Sequence, residues 1–436
     1  MKAIILAAGK GKRMQSDLQK VMHPILGKPI VQYVAEAAKE AGFADITVVV
    51  GGEGGEEIKK GLSLCGGLSF AVQQTPLGTG DAVKAGAGSI KPDDDVIVLC
   101  GDMPLVTADF LKEMMEYKKS NPCEAVVAAV FRGEEMGDFG RVFDRGGEFV
   151  EIVEARDITD DHPATNWGNT GIYLFQGSSL LSSLEKIKNT NSQNEYYLTD
   201  VPKILREEGK TVRVFHTRAD MSVFTGINTQ SHLAEAVSHM RERINERHMA
   251  NGVRMLDPRS AFIEPTVKIA RGVTIYPNVM LEGDCEIANG ATIGMCCHIV
   301  DTKIGSGTTI GPFAHLRQGT VIGENCRVGN FVEVKNATLA DDVKAAHLAY
   351  IGDADVGKNV NYSCGAITAN YDGKNKHRTV IGENAFIGSN ANLIAPVEIG
   401  ENAFIAAGST ITSDIPPYAL GIARERQCIK ENWTKK

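Results

Sequence analysis

No apolar run in these 436 residues is long enough to span a bilayer. Residues 1–6 read as a buried strand but lead straight into a glycine-rich turn, without the length or flanks of a signal peptide. Regular cysteine spacing is missing too. The nine cysteines are odd in number and scattered; only Cys296 and Cys297 adjoin, and neighbours on a strand face opposite ways. Free thiols in a reducing cytoplasm are therefore the expectation, with no zinc-ligand spacing to oppose it. Nor is positive charge in excess. A net charge of −8 offers no general attraction to nucleic acid, although a local group of Lys and Arg can still bind a small anion. Neither a nucleic-acid partner nor stable membrane insertion is expected.

What is present falls into two rhythms. Hydrophobic content of 43 % suits a globular chain, and 436 residues suit more than one domain. Up to about residue 228, short apolar runs (3–6, 46–50, 96–99, 125–130) alternate with helical patterns. Several runs are apolar throughout, as strands covered on both faces are. Residues 30–41 read as a helix ended by Gly42, which gives a βαβ start and an α/β, Rossmann-like fold. In 231–248, Leu233, Val237, Met240 and Ile244 recur at helical spacing and predict an amphipathic connecting helix.

From residue 263 the period becomes six. Ile263, Ile269, Ile275, Leu281, Ile287, Ile293 and Ile299 open the series, which resumes at Ile304, Ile310, Leu316, Ile322, Val328 and Val334. It returns as Ile381, Ile387, Leu393, Ile399, Ile405 and Ile411. Short strands and tight turns, three to a coil, would stack these side chains inside a parallel β-helix. The same turns account for much of the glycine, 46 residues in all. The pattern lapses between about 340 and 380, and the polar, basic stretch 368–379 reads as a loop, either a binding element or surface decoration.

Chemistry-bearing residues cluster at few places. In LAAGKGKRM (6–14), Gly9 and Gly11 suit backbone approach to a phosphate, and Arg13 and Lys20 could neutralise it or lie solvated at the surface. Asp102 follows a strand end, where it could hold magnesium against a triphosphate or simply cap a helix. Gln73 and LGTGDA (77–82) could frame a base or sugar. Histidine is the side-chain type that changes charge near neutrality, so His347 suits a general base, though a lone histidine can equally be structural. Glu333 could orient a neighbour, and Arg317 and Lys335 could grip a phosphate.

The ordered set LAAGxGxRM, Lys20, QxxxxLGTG, GD at 101–102, GRV at 140–142, IVEARD at 152–157, NTGIY at 169–173 and GIN at 226–228 resembles the sugar-1-phosphate nucleotidyltransferases. GPFAHLRQG, VGNFVEVKNA, HLAYIGDADVGKNVN and ITANYDGKNKHRT are similar to an acetyltransferase half. Together they resemble the bacterial enzymes that are both N-acetylglucosamine-1-phosphate uridyltransferase and glucosamine-1-phosphate N-acetyltransferase. The resemblance implies a uridyltransferase domain over 1–228, a connecting helix over 229–250 and a left-handed β-helix over 251–436.

By that resemblance Leu6, Ala7, Ala8, Gly9, Lys20, Gln73, Gly78 and Thr79 would meet UTP, and Asp102 and Asn228 would hold Mg2+. Gly140, Glu154 and Asn169 would contact N-acetylglucosamine-1-phosphate, with Arg13 and Lys20 stabilising the transferring phosphate. His347 would be the base, and Arg317, Lys335, Tyr350, Asn361 and Lys376 would bind glucosamine-1-phosphate. Cys364, Asn370, Tyr371, Ser389, Ala407 and Arg424 would line the acetyl-CoA path. A homotrimer with shared sites, and a place in envelope precursor supply, are implied.

The chain departs from the family pattern at Lys12 (usually Thr), Gln19 (Pro), Cys100 (Tyr), His315 (Arg), Gln318 (Pro), Cys364 (Ala) and Ala366 (Thr). Three other functions stay open at this point: a regulatory β-helix on a working nucleotidyltransferase, zinc held between β-helices by His298, His315 or His347, and another activated sugar as product.

Overall fold

The computed structural model describes residues 1–9, 11–63, 65–133, 137, 139–191 and 193–435. It contains two compact units, Met1–Met240 and Arg241–Lys436.

The first unit is built on nine strands: β1 (Lys2–Ala7), β2 (Asp45–Gly51), β3 (Leu68–Gln73), β4 (Asp95–Cys100), β5 (Ala125–Phe131), β6 (Arg141–Arg145), β7 (Glu148–Val153), β8 (Trp167–Gln176) and β9 (Val212–Thr217). Their spatial order is β3-β2-β1-β4-β8-β5-β9-β7-β6. β1 runs parallel to β2 and β4, with Ala3 opposite Ile46 and Ile97. β8 is antiparallel to both β4 and β5, so the sheet is mixed.

Alternation explains why the central strands are apolar throughout. Ala3, Ile5, Val48, Val50, Ile97 and Leu99 face a core shared with helices α1 (Ile30–Glu40), α2 (Gly55–Gly61) and α4 (Ala108–Ser120). Ile4, Val49, Val96 and Val98 face the opposite core, closed by α3 (Thr79–Gly86), α5 (Gly177–Leu184) and α6 (Asp200–Glu207). Each strand thus buries both sides. Thr107 caps α4 by accepting a hydrogen bond from the Phe110 amide at 3.2 Å.

The helix α7 (Gln230–Ala250) follows. Ala236, Met240, Ile244 and His248 are buried at four-residue intervals along one face. Asn245, also buried, donates to the carbonyls of Pro258 and Ala261 at 2.8 and 2.9 Å and ties the helix end to the first coil.

The second unit is a left-handed β-helix of stacked parallel strands. One face aligns Ile269, Ile287, Ile304, Ile322, Leu339, Val356, Ile381 and Ile399 in successive coils. The hexad residues are almost all buried. Turn residues take positive φ, commonly as Asn or Asp: Asn325, Asp342, Asn359, Asn384 and Asn402 lie between 53 and 62°.

The apparent lapse between 340 and 380 is mostly not a break. Ala345, Ile351, Val356, Tyr362 and Thr368 are all buried there. Tyr362 and Thr368 occupy positions where an aliphatic residue was sought, so the repeat escaped notice. The Thr368 hydroxyl meets its polar requirement by donating to the Gly352 carbonyl and accepting from its amide. The irregular excursion is shorter than expected, leaving at Ala369 and rejoining at Thr379.

Candidate functional sites

In the first unit, chain ends at the tip of the sheet gather the site. The Gly101 amide bonds the Leu6 carbonyl at 2.9 Å, which sets Asp102 beside the turn after β1. Lys20 Nζ lies 2.5 Å from Asp102 Oδ2 and 3.3 Å from Asn228 Oδ1. These three side chains come from sequence positions far apart, and Lys20 and Asp102 are only 13 and 19 % exposed. Gly226 leaves room for the carboxylate: a Cβ there would stand 3.2 Å from Asp102 Oδ2. Gly11 does the same for lysine. Its φ is 60°, and a Cβ would meet Lys20 Cβ at 2.5 Å.

Space over Gly9 is open, with no heavy atom within 4 Å of where a Cβ would be. Leu6 and Ala7 are the last residues of β1, with Ala8 next, and the Ala8 carbonyl packs against Gly51. Arg13 is exposed on the short turn Lys12–Met14, whereas Lys20 is held inward. Of the turn's motif, Lys10 lies outside the described residues.

Gln73 is buried and donates to the Gly78 carbonyl (3.1 Å) and to Asp81 (2.7 Å). Gly78 has φ 117°, and a side chain there would run into the Tyr196 backbone. The Thr79 hydroxyl accepts from the Leu198 amide at 3.0 Å, which assigns it a local structural bond at the start of α3.

Gly140, Glu154 and Asn169 form a second group. The Asn169 amide bonds the Gly140 carbonyl at 2.8 Å, and a Cβ on Gly140 would lie 3.5 Å from Glu154 Oε2. Asn169 is still paired with Ala129, the register of β8 becomes irregular between it and Tyr173, and its side chain bonds the Tyr173 hydroxyl. Burial, with help from Asp157 and Asp200, raises the Glu154 pKa above the ordinary carboxylate value. Cys100 faces the Gly171 carbonyl, and burial beside Asp102 pushes its thiol up to about 12, an inert group.

On the β-helix, strands β10 (Arg327–Lys335) and β11 (Lys344–Gly352) pair in parallel and carry the second site. Asn330 lies opposite His347, and Glu333 opposite Tyr350. His347 is exposed, with Nδ1 3.1 Å from Asn330 Oδ1. A proton on Nδ1 would donate to that oxygen and leave the Nε2 lone pair free.

Arg317 Nη1 bonds Glu333 Oε1 at 2.8 Å. Lys335 stands next to Lys376, and their repulsion, with smaller contributions from desolvation and Arg317, lowers the Lys335 pKa. Three cations held together in one place make a site for a doubly charged anion. Asn370 is buried and bonds the carboxylate of Asp353, with Tyr350 Oη 3.5 Å from its amide. Tyr371 is exposed and pairs with Lys376 across the loop, whose tip is fixed by Asp372 accepting from the Lys374 and Asn375 amides. Those bonds and His377 hold the Asp372 carboxyl down at about 2. Asn361 sits one coil on, opposite Lys344, bonded to Ser363.

One corner of the β-helix links His347 to the remaining residues. The Gly365 amide bonds the Leu348 carbonyl, the Asn390 amide that of Cys364, and the Gly408 amide that of Ser389. His347, Cys364, Ser389 and Ala407 therefore lie along one column of turns. Arg424 Cδ comes within 3.9 Å of a Cβ placed on Gly408. Bulky residues occupy left-handed positions in this column, at Phe313, Phe331 and Leu348, and all three are exposed. Asn or Gly fills the equivalent positions further on, so the unusual choice is concentrated beside His347.

Sequence reading missed Asn330, Asp353 and Asp81. Asn330 is one coil, seventeen residues, before His347. Applying the coil length through 340–380 would have paired them. His298 and His315 stack at 5.2 Å, with His298 bonded to Glu282 rather than to His347. Among the described residues no group of three or more His, Cys, Asp or Glu is placed to hold a metal. The nine cysteines are free, and among the described residues no helix is long and apolar enough to cross a membrane.

A mixed sheet with a cation–carboxylate pair at its strand ends, followed by a hexad-repeat β-helix, defines a nucleotidyltransferase joined to a hexapeptide transferase. Comparison with known proteins agrees. Residues 3–225 match the MobA-like NTP transferase domain, and 301–336 and 378–413 match the bacterial transferase hexapeptide model. The chain is 44 % identical to the bifunctional protein GlmU of Clostridioides difficile, over all of this chain and 97 % of that protein. It is 45 % identical to that of Shouchella clausii, over 100 and 98 %, and 41 % to that of Acetivibrio thermocellus, over 100 and 97 %. The chain belongs to the GlmU family of bifunctional proteins.

Proposed function

We propose that the chain makes UDP-N-acetylglucosamine in two steps, acetylating glucosamine-1-phosphate and then joining the product to a uridylyl group from UTP. The observation that carries the first step is the grouping of Arg317, Lys335 and Lys376, with Lys335 on the strand that pairs with the one holding His347. The cations fix the sugar phosphate, and Tyr350 and Asn361 hold the ring. His347 Nε2 takes a proton from the amine as its nitrogen attacks the thioester carbon. The C–N bond forms, the C–S bond breaks, and CoA leaves as a thiol. Cys364, Asn370, Tyr371, Ser389, Ala407 and Arg424 line the path for CoA along the corner column, and Glu333 orients Arg317. Direct transfer needs no cysteine nucleophile.

In the second step the phosphate oxygen of N-acetylglucosamine-1-phosphate attacks the α-phosphorus of UTP and pyrophosphate leaves. Gly140, Glu154 and Asn169 bind the acetylated sugar. Leu6 to Gly9, Gln73, Gly78 and Thr79 surround the nucleotide, with Arg13 and Lys20 drawn to its phosphates. Asp102 and Asn228 fit Mg2+: both aim an oxygen at one cation, the Lys20 ammonium, and hard oxygen donors suit that ion. When bound, the ion would offset charge on the phosphates.

Residues 1–228 carry uridylyl transfer, 229–250 connect, and 251–436 carry acetylation. The exposed Phe313, Phe331 and Leu348 support assembly as a homotrimer, and free thiols support a cytoplasmic setting. The test supplies purified protein with magnesium, UTP, acetyl-CoA and glucosamine-1-phosphate and resolves thiol, N-acetylglucosamine-1-phosphate and UDP-N-acetylglucosamine. All three are expected. Failure to release thiol, with supplied N-acetylglucosamine-1-phosphate still uridylylated, would reduce the β-helix to a structural role.

A further inference from the structure

Lys20 is the residue whose position in the first site is least expected. A group meant to meet phosphate instead caps the two oxygens assigned to the metal: Nζ contacts Asp102 Oδ2 at 2.5 Å and Asn228 Oδ1 at 3.3 Å. Asn228 has a single side-chain oxygen, so an ion that takes both residues shares that oxygen with the Lys20 ammonium unless the ammonium moves away. An ammonium and a divalent cation repel strongly at such separations, and the partly buried setting of Lys20 and Asp102 limits screening. The lysine stem rests against Gly11 of the phosphate turn, Gly9 of the same turn faces open space, and rotation about the outer bonds of Lys20 moves the ammonium without moving the backbone.

We infer that Lys20 is an internal surrogate for the metal, and that the divalent ion and Lys20 are alternative occupants of the Asp102–Asn228 pair. Ion binding frees the ammonium for the nucleotide phosphates, so the positive charge reaches the phosphate turn only once the metal is in place. Without metal the pair is neutralised within the protein, and the carboxylate is not left unpaired in its half-buried position. The inference rests on reading Asp102 and Asn228 as the metal site.

The experiment measures Mn2+ binding to the full chain without nucleotide, by electron spin resonance of the free ion. Lys20→Met should bind Mn2+ about tenfold more tightly than the unaltered protein, the size expected when one charge-assisted hydrogen bond no longer competes. Lys20→Arg keeps the competing charge and should stay near the unaltered protein. Asp102→Asn should weaken binding in either background. Thermal unfolding of each variant checks that the fold is kept. Equal or weaker binding by folded Lys20→Met, with Asp102→Asn still weakened, overturns the surrogate while leaving the metal site standing. Undiminished binding by Asp102→Asn removes the site itself, and the proposal with it.

Discussion

In the first unit Lys20 directs its charge at Asp102 and Asn228, whereas on the β-helix Lys335 and Lys376 stand together with Arg317 and repel one another. The first arrangement is neutral at rest and suits a site that admits an anion together with a divalent ion. The second keeps two ammonium groups side by side, only partly offset by Glu333 and Asp353, and suits an anion that arrives alone. On the proposed reading the difference is physical: one phosphate subsite would depend on a metal and the other on side chains already in place.

The largest effects should come from groups placed at the reacting atoms. His347→Asn should lower acetyl transfer about 10²–10⁴-fold and leave uridylyl transfer unchanged, read as thiol and pyrophosphate release side by side. The mirror experiment is Asp102→Asn, expected to lower uridylyl transfer about 10²–10³-fold with thiol release intact. Loss of both activities in either variant would erase the contrast between the sites.

Much of this contrast was legible in the sequence, and the illegible part has definite causes. The βαβ start and the hexad series mark both folds because apolar periodicity survives in the chain. The strands read at 46–50 and 125–130 extend by one or two residues as Asp45–Gly51 and Ala125–Phe131. Antiparallel β8 was hidden because a buried strand reads alike in either direction. The coils between 340 and 380 were hidden by Tyr362 and Thr368, whose polar groups are bonded inside the β-helix. Pairwise geometry could not be read at all. Lys20 turning to Asp102, and Asn330 bracing His347, depend on chain separations that only folding closes.

Smaller changes sharpen the comparison. Lys376→Ala should raise the KM for glucosamine-1-phosphate about tenfold with little change in kcat, because one phosphate contact is lost. It should also return Lys335 toward its ordinary pKa, a shift that NMR titration would follow. Leu316→Ala should destabilise the β-helix by about 2–5 kcal/mol, as expected for a fully buried leucine, measured by denaturant unfolding.

His248 supplies a pH effect confined to stability. Burial, aided by Arg247, lowers its pKa from 6.5 to about 4. The unfolded chain then binds the proton first, so stability present above about pH 6.5 declines as pH falls toward 4. Unfolding at several pH values should show a loss on the order of 3 kcal/mol over that window, absent in His248→Gln.

Metal removal tests the difference between the sites most directly. With chelator in excess, thiol release from acetyl-CoA and glucosamine-1-phosphate should continue at its full rate while pyrophosphate release from UTP stops. Loss of both, or persistence of both, would contradict a metal-dependent site in one unit and a preassembled cationic site in the other.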